Sequence, residues 1–305
     1  MDFIEDYVII ETCAIVKRAA ISPGKFPKWE EFDRHGLDAE DMKNLENEFG
    51  SSKTSEFDPL RIRQTAWEDF KKGQIDCRVF CSDFARIVVL FPDISIVGPS
   101  NIPLKLWSEI LRAFCPKDRR RKIRIYLVAS AILRLFPEDG AKIGPQNING
   151  GYCYPCQESL AIYIFRAEDA TRVLIHELLH AFCTDRFEFG LNLVEARTEA
   201  WAEMIWCCFM AGGSVKLAKK YFSMQVAWIL GQSRKIIDYI GVEAADSQEF
   251  PWRYTIGREP IVKRWLGKNL PAPVETGNSL RLTSPRVVED VFARNPTFER
   301  SVKLI

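Results

Sequence analysis

The sequence predicts an α+β protein, in which a small sheet is combined with mainly helical segments. Short β-branched runs precede a stretch that carries two histidines four residues apart, and long helical patterns follow that stretch. Strands are expected at residues 85–91, 123–129 and 159–165, and helices at 60–72, 103–114, 169–182, 194–210, 215–240 and 285–294.

The predicted strands are short apolar runs with clear limits. Residues 85–91 read ARIVVLF and stop at a proline, and residues 123–129 read IRIYLVA. β-Branched side chains fit a pleated surface better than a helix, which favours a strand in both places. The helix at 103–114 begins with Pro103, where the missing backbone N–H costs little.

The composition is that of a globular protein without a strong charge bias. Of 305 residues, 47% are hydrophobic and 27% are charged, and the formal net charge is +1. This balance gives no general attraction to nucleic acid or to an anionic membrane. The length suits one large domain with an added N-terminal region, or two modest domains. We expect an N-terminal mixed helical region over residues 1–115 and a larger domain over 116–305, which is the candidate for the functional domain. The oligomeric state stays open.

The cysteines and the N-terminal segment indicate a cytoplasmic protein. The acidic start MDFIEDYVIIE is unlike a secretory signal, and no apolar run approaches the roughly 20 residues that cross a bilayer. Nine cysteines, an odd number, do not resemble a small secreted disulfide framework, so we expect unpaired thiols. For Cys153 and Cys156, a Cys-x-x-Cys pair, a metal or redox role is the alternative, with Cys77 and Cys81 as a second pair.

The histidine stretch reads RVLIHELLHAFCTD over residues 172–185. On an α-helix His176 and His180 project from nearly the same side, about 6 Å apart along the axis. Two imidazoles so placed can bind one metal ion at Zn–N distances of about 2.0–2.1 Å. Glu177 lies about 100° around the helix, beside such an ion, where a carboxylate can accept a proton from water.

Two packed core histidines are the structural alternative. The helix is largely apolar, through Leu174, Ile175, Leu178, Leu179 and Phe182. Buried imidazoles and a buried carboxylate need partners that offset the loss of hydration, and a metal ion is one such partner. The metal interpretation therefore requires a third ligand further along the chain.

One source of a third ligand is a tight turn directly after the histidines, as in metzincins. That pattern needs a His or Asp six residues after the second histidine and a Gly three residues after it. Arg186 and Cys183 occupy these positions, so this option fails. Asp185 lies close by, but its surroundings give it no further support.

The other source is a glutamate on the next helix. Glu195, Glu199 and Glu203 are spaced by four, along one face. Like charges in this arrangement repel on a free helix, and a cation beside them would reverse that penalty. An exposed acidic face, or neutralisation by Arg197, is the alternative.

These residues resemble the gluzincin metallopeptidase signature. His176-Glu177-Leu-Leu-His180 is followed, after eighteen residues, by Glu199 in Thr-Glu-Ala-Trp-Ala. Gluzincin aminopeptidases carry the same spacing, and thermolysin-like enzymes nearly the same. The resemblance covers about 50 residues, from 159 to about 210. It implies a zincin-like core, with a small sheet that has an edge strand, an active-site helix and a mainly helical C-terminal half, plus a mixed N-terminal region.

The resemblance also implies roles for individual residues. The implied ligands of Zn²⁺ are His176, His180 and Glu199, and the implied general base is Glu177. Glu195 or Glu203 would orient a ligand histidine through its other ring nitrogen. The strand over residues 160–165 would be the edge strand on which an extended peptide pairs.

An oxyanion-stabilising group is expected in such enzymes, usually a Tyr or a His. No histidine follows His180, so Tyr254 is the expected group, in a loop after two helices. A half-buried loop aromatic is the alternative for this residue. Tyr221 and Tyr239 are expected to be packing residues.

The predicted function is hydrolysis of a peptide or protein substrate by a zinc-activated water, with Glu177 as the general base. The alternative is a structural or interaction protein on a gluzincin scaffold, with zinc kept for stability or lost. In that case the basic segment at 117–124 and the helical C-terminal half would serve assembly.

Overall fold

A computed structural model of the chain describes residues 3–20, 28–51, 56–115, 122–138, 140–158, 160–241 and 250–294. The α-helices in this part of the chain are α1 (Phe3–Ala19), α2 (Ala39–Phe49), α3 (Ile62–Lys71), α4 (Leu104–Phe114), α5 (Pro145–Ile148), α6 (Ala170–Ala181), α7 (Leu191–Met210), α8 (Val215–Ile240), α9 (Arg258–Leu266) and α10 (Pro285–Arg294). The strands are β1 (Glu30–Phe32), β2 (Asp76–Cys81), β3 (Ala85–Phe91), β4 (Ile123–Val128), β5 (Gly151–Cys153) and β6 (Ala161–Ile164). The predicted α+β class is confirmed.

The strands form one mixed sheet in the order β1-β2-β3-β4-β6-β5. β3, β4 and β6 are parallel neighbours, whereas β1, β2 and β5 pair antiparallel with theirs. The predicted boundary between residues 115 and 116 falls inside this sheet, because β3 pairs with β4 across it. The basic residues 117–121 lie outside the described residues.

The predicted edge strand needs a correction. The segment predicted at 160–165 forms β6, which has β4 on one side and β5 on the other. β5, only three residues long, takes the edge position. An isolated run of three residues carries too little alternation to be recognised, so its pairing with β6 decides its conformation.

The centre of the sheet is buried on both faces. Val88 and Leu90 of β3 join an apolar cluster with residues of α2 and α3. Successive side chains of a strand point to opposite faces, so the equally buried Ile87 and Val89 cover the other face. Burial on both sides explains why the parallel strands read as continuous apolar runs.

The chain forms two compact units. The sheet unit contains the described residues within 21–133 and 149–183, including the sheet and α6. The helical unit contains those within 1–20, 134–148 and 184–299, including α7, α8 and α9. Among the described residues, no helix combines the length and the apolar character that a membrane span requires.

The helical unit packs around α7 and α8, and one glycine shows how closely. A Cβ atom on Gly231 of α8 would collide with the carbonyl oxygen of Val274. The backbone N–H of Val274 donates to the carbonyl of Ala227 at 3.2 Å. The glycine therefore lets the segment after α9 lie directly on α8.

Candidate metal centre

The two histidines and the glutamate lie on α6, which is buried along its whole length. His176, Glu177 and His180 are 6%, 5% and 6% exposed. The helix follows Asp169, and its last turn is closed by the N–H of Phe182, which donates to the carbonyl of Leu178 at 3.0 Å. The predicted helix at 169–182 is confirmed, and it carries four buried ionisable side chains, those of Arg172, His176, Glu177 and His180.

The two imidazoles face each other. The Nε2 atoms of His176 and His180 are 3.0 Å apart, and the ring planes are inclined by 76°. Two nitrogens bound to one tetrahedral ion at about 2.0–2.1 Å would be roughly 3.3–3.4 Å apart. The observed separation is close to that value. It also equals an ordinary hydrogen bond between one protonated and one unprotonated nitrogen.

Glu177 lies next to the edge strand β5. A Cβ atom built on Gly151 would be 3.6 Å from Oε1 of Glu177, and 2.6 Å from Cγ1 of Val173. The thiol of Cys153 donates to the backbone carbonyl of Glu177 at 3.3 Å. A side chain at position 151 would therefore press on α6, and glycine keeps the strand close to the carboxylate.

Two of the cysteines near α6 are paired, contrary to the expectation of unpaired thiols. Cys156 and Cys183 form a disulfide, with Cα atoms 5.0 Å apart. Cys156 follows β5 and Cys183 follows α6, and both are exposed. Pairing across 27 residues depends on how the two turns meet, which the spacing of cysteines in the sequence does not reveal.

Two acidic residues of α7, Glu199 and Glu203, lie beside a buried arginine in the helical unit. Nη1 of Arg258, at the start of α9, donates to Oε1 of Glu203 at 2.5 Å and lies 3.7 Å from Oε2 of Glu199. Its Nη2 donates to Oε1 of Gln232 at 2.9 Å. Arg258 and Glu203 are fully buried and Glu199 nearly so. The guanidinium thus compensates much of the negative charge on this face of α7.

No pattern in the sequence points to Arg258. A trio of glutamates among apolar residues does require a nearby cation, and that requirement was the available signal. A metal ion and Arg197 are the two cations that the sequence itself suggests for this role. The C-terminal part of the chain contains many arginines, and no sequence pattern distinguishes Arg258 from the others.

Tyr254 lies in a short π-helix, Trp252–Ile256, rather than in the predicted loop. Its ring packs against Phe250 at a centroid distance of 4.9 Å. Burial raises the pKa of the Tyr254 phenol, and the charge of Glu195 raises it further, against the opposing effect of Arg253. The phenol is therefore protonated at neutral pH and able to donate a hydrogen bond.

The structure thus assembles two sets of side chains. The sheet unit brings His176, Glu177 and His180 together beside β5, and the helical unit brings Glu199 and Glu203 together around Arg258. Comparison with protein-family models, with curated proteins and with solved structures finds no match for this chain. Its function must be inferred from the site itself.

Proposed function

We propose that the protein is a zinc-dependent peptidase whose ion is held by His176, His180 and a carboxylate of α7. In this proposal the ligands are one ring nitrogen each of His176 and His180 and one carboxylate oxygen of Glu195. The observation that carries the proposal is the pair of buried imidazoles with their Nε2 atoms 3.0 Å apart. Two imidazoles and one carboxylate, with a position left for water, are the donor set of catalytic zinc sites.

Burial favours a metal over a simple histidine pair. A hydrogen bond between two neutral imidazoles uses one N–H and one lone pair and adds no positive charge to the site. A divalent cation binds both lone pairs and also stabilises a negative charge beside it. Ionised carboxylates are costly to bury without such a charge. A bound cation would therefore favour the ionised form of Glu177, which is only 5% exposed.

We propose Glu195 as the third ligand, where the gluzincin resemblance implies Glu199. Arg258 binds Glu203 and lies 3.7 Å from Glu199, so its positive charge lies beside these two carboxylates of α7. A carboxylate that shares its charge with a guanidinium is a weaker metal ligand. Glu195, one turn before Glu199, is the carboxylate of the potential metal-binding group.

The third ligand is testable with two isosteric variants. We expect Glu195→Gln to weaken zinc binding by more than about 100-fold, beyond the range for loss of an outer partner, and Glu199→Gln by about 10-fold. Competition with a chromogenic chelator measures both affinities. The opposite order would reject Glu195 and return the role to Glu199.

The proposed side chains would perform the chemistry as follows. The bound ion would supply Lewis-acid activation of water and of the substrate carbonyl. Glu177 accepts a proton from the water and later delivers it to the leaving amine. Tyr254, protonated at neutral pH, would donate a hydrogen bond to the oxyanion. An extended peptide would pair with β5, which replaces the predicted strand at the sheet edge.

A zincin-like core is part of the same proposal. Its supporting features are the mixed sheet, a short antiparallel edge strand, and a buried helix with the His-Glu-x-x-His stretch that directly follows the sheet in the chain. Helices α7 to α10 make up the mainly helical C-terminal part. Fold alone does not identify an activity, so the chemistry of the site has to be tested directly.

The proposed function is tested by metal analysis and peptide hydrolysis on one preparation. We expect one zinc per chain, hydrolysis of a quenched peptide library, loss of that activity with a chelator and its recovery with added zinc. Protein that retains one zinc but cleaves no peptide would favour the structural or interaction protein. Protein that binds no zinc at all would refute the zinc peptidase and leave the structural or interaction protein from which zinc has been lost.

A further inference from the structure

Three cysteines lie around the C-terminal half of α6. Cys156 and Cys183 form a disulfide that joins the turn after β5 to the residue that follows the helix end. Cys153, in β5, donates its thiol hydrogen to the carbonyl of Glu177. All three belong to the sheet unit, and the two bridged residues are exposed to solvent.

The bridge and the thiol contact the two parts of α6 that carry the candidate site. The N–H of Cys183 donates to the carbonyl of His180 at 3.0 Å, so the bridge fixes the chain directly at the second histidine. The thiol of Cys153 holds the backbone at the candidate base. Cys156 and Cys183 have φ angles of 58° and 59°, a left-handed conformation that non-glycine residues adopt only when the surrounding structure holds them there.

We propose that Cys153, Cys156 and Cys183 are a thiol–disulfide exchange site that controls the order of α6, with a cellular dithiol as its reductant. Cys153 and Cys156 have the Cys-x-x-Cys spacing in which an intramolecular disulfide forms readily. The effect of the exchange on α6 does not depend on whether zinc is bound. Its effect on metal binding rests on the proposed function.

The exchange is balanced within the chain. The Cys153 thiol loses its proton to solvent, and its sulfur attacks Sγ of Cys156. The Cys153–Cys156 bond forms as the Cys156–Cys183 bond breaks, and Cys183 leaves as a thiolate that takes up a proton. No electrons are gained or lost in this step. A dithiol reductant then reduces the Cys153–Cys156 bond and becomes a disulfide itself.

Exchange changes both contacts on α6 at once. Cys183 is released, so the helix end at His180 loses its covalent tether. Cys153 no longer carries the hydrogen that it donates to the carbonyl of Glu177. We therefore expect faster opening of the last turns of α6 in the exchanged and reduced forms, because local stability depends on such end contacts.

The exchange is tested by mapping disulfides in the wild-type chain. The protein is equilibrated in glutathione buffers and with substoichiometric dithiothreitol, quenched in acid, alkylated, digested and examined by mass spectrometry. We expect the 156–183 bond in oxidised glutathione and the 153–156 bond as reduction begins. Alkylation of Cys156 and Cys183 in oxidised glutathione would overturn the proposal. So would a 156–183 bond that persists at the glutathione ratios of the cytosol, since this marks a fixed structural disulfide.

Two variants separate the exchange from general thiol effects. Cys153→Ser should retain the 156–183 bond and abolish the 153–156 form, whereas Cys115→Ser, a change at a half-buried cysteine elsewhere in the sheet unit, should leave both forms unchanged. Appearance of new 156-containing disulfides in Cys153→Ser would contradict the role of Cys153.

Amide hydrogen exchange over α6 measures the control itself. We expect faster exchange in the reduced wild type than in the bridged protein, and equal rates would overturn the proposed control. If zinc binds, the bridged form should hold it about 10-fold more tightly, as expected for an outer support of a ligand. Equal zinc affinity would contradict that link alone, and absence of zinc binding would refute the proposed function but leave the disulfide exchange standing.

Discussion

We expect the substitution Glu177→Gln to lower peptide hydrolysis strongly and to leave bound zinc in place. The amide has nearly the shape of the carboxylate but cannot accept a proton, so we expect kcat to fall by about 10²- to 10⁴-fold, the usual contribution of a general base. The two imidazoles that would bind the ion are unchanged in this variant. Steady-state kinetics on a cleaved peptide and zinc analysis of the same sample measure the two effects.

A matched substitution controls for the loss of one negative charge. Glu158 is exposed, lies in the same unit and follows the Cys-x-x-Cys pair. Glu158→Gln should change kcat by less than about twofold, because an exposed charge is largely screened. Unchanged hydrolysis by the Glu177 variant would remove Glu177 from the mechanism. Loss of zinc from that variant would show that Glu177 contributes to metal binding.

The substitution His180→Gln removes one of the two proposed imidazole ligands. We expect zinc affinity to fall by more than about 100-fold, beyond the loss caused by removing an outer partner. Zinc should also no longer raise the melting temperature, because stabilisation by a ligand requires binding to the folded state. Chelator competition and thermal unfolding, each with and without zinc, measure the change.

The chain contains its own control for this substitution. His35 is the third histidine and lies exposed near the start of the sheet unit. His35→Gln should leave both zinc affinity and the zinc-dependent melting shift unchanged. If His180→Gln behaves like His35→Gln, the buried imidazole pair is a packing feature joined by a hydrogen bond.

Much of the central fold could be predicted from hydrophobic pattern alone. The predicted strand at 85–91 and the helices at 215–240 and 285–294 coincide with β3, α8 and α10. These segments are long or strongly apolar, and their own periodicity is sufficient to define them. The buried helix around His176 and His180 could be placed for the same reason.

Elements that depend on a neighbour could not be predicted. β1 is a three-residue exposed strand and β5 lies inside a loop rich in Gly and Asn, so both exist only through pairing. The π-helix follows Pro251, and α9 contains Pro260. Sequence patterns assign prolines at such positions to loops. Pro is tolerated near a helix start because the first N–H groups have no partner inside the helix.

The candidate site shows the same division. Local spacing on one helix was enough to place His176, Glu177 and His180 together. The disulfide of Cys156 and the ion pair of Arg258 join residues far apart in the chain, and no local pattern reports them. The third ligand is also distant in the chain from the two histidines. An experiment is therefore needed to decide between Glu195 and Glu199.

X-ray absorption spectroscopy at the zinc edge, on protein loaded with one equivalent of zinc and dialysed, tests the central claim most directly. We expect nitrogen and oxygen neighbours at about 2.0–2.1 Å with the outer scattering of two imidazoles. Sulfur neighbours at about 2.3 Å, which would move the ion to the cysteines, or a first shell without imidazole would contradict the account.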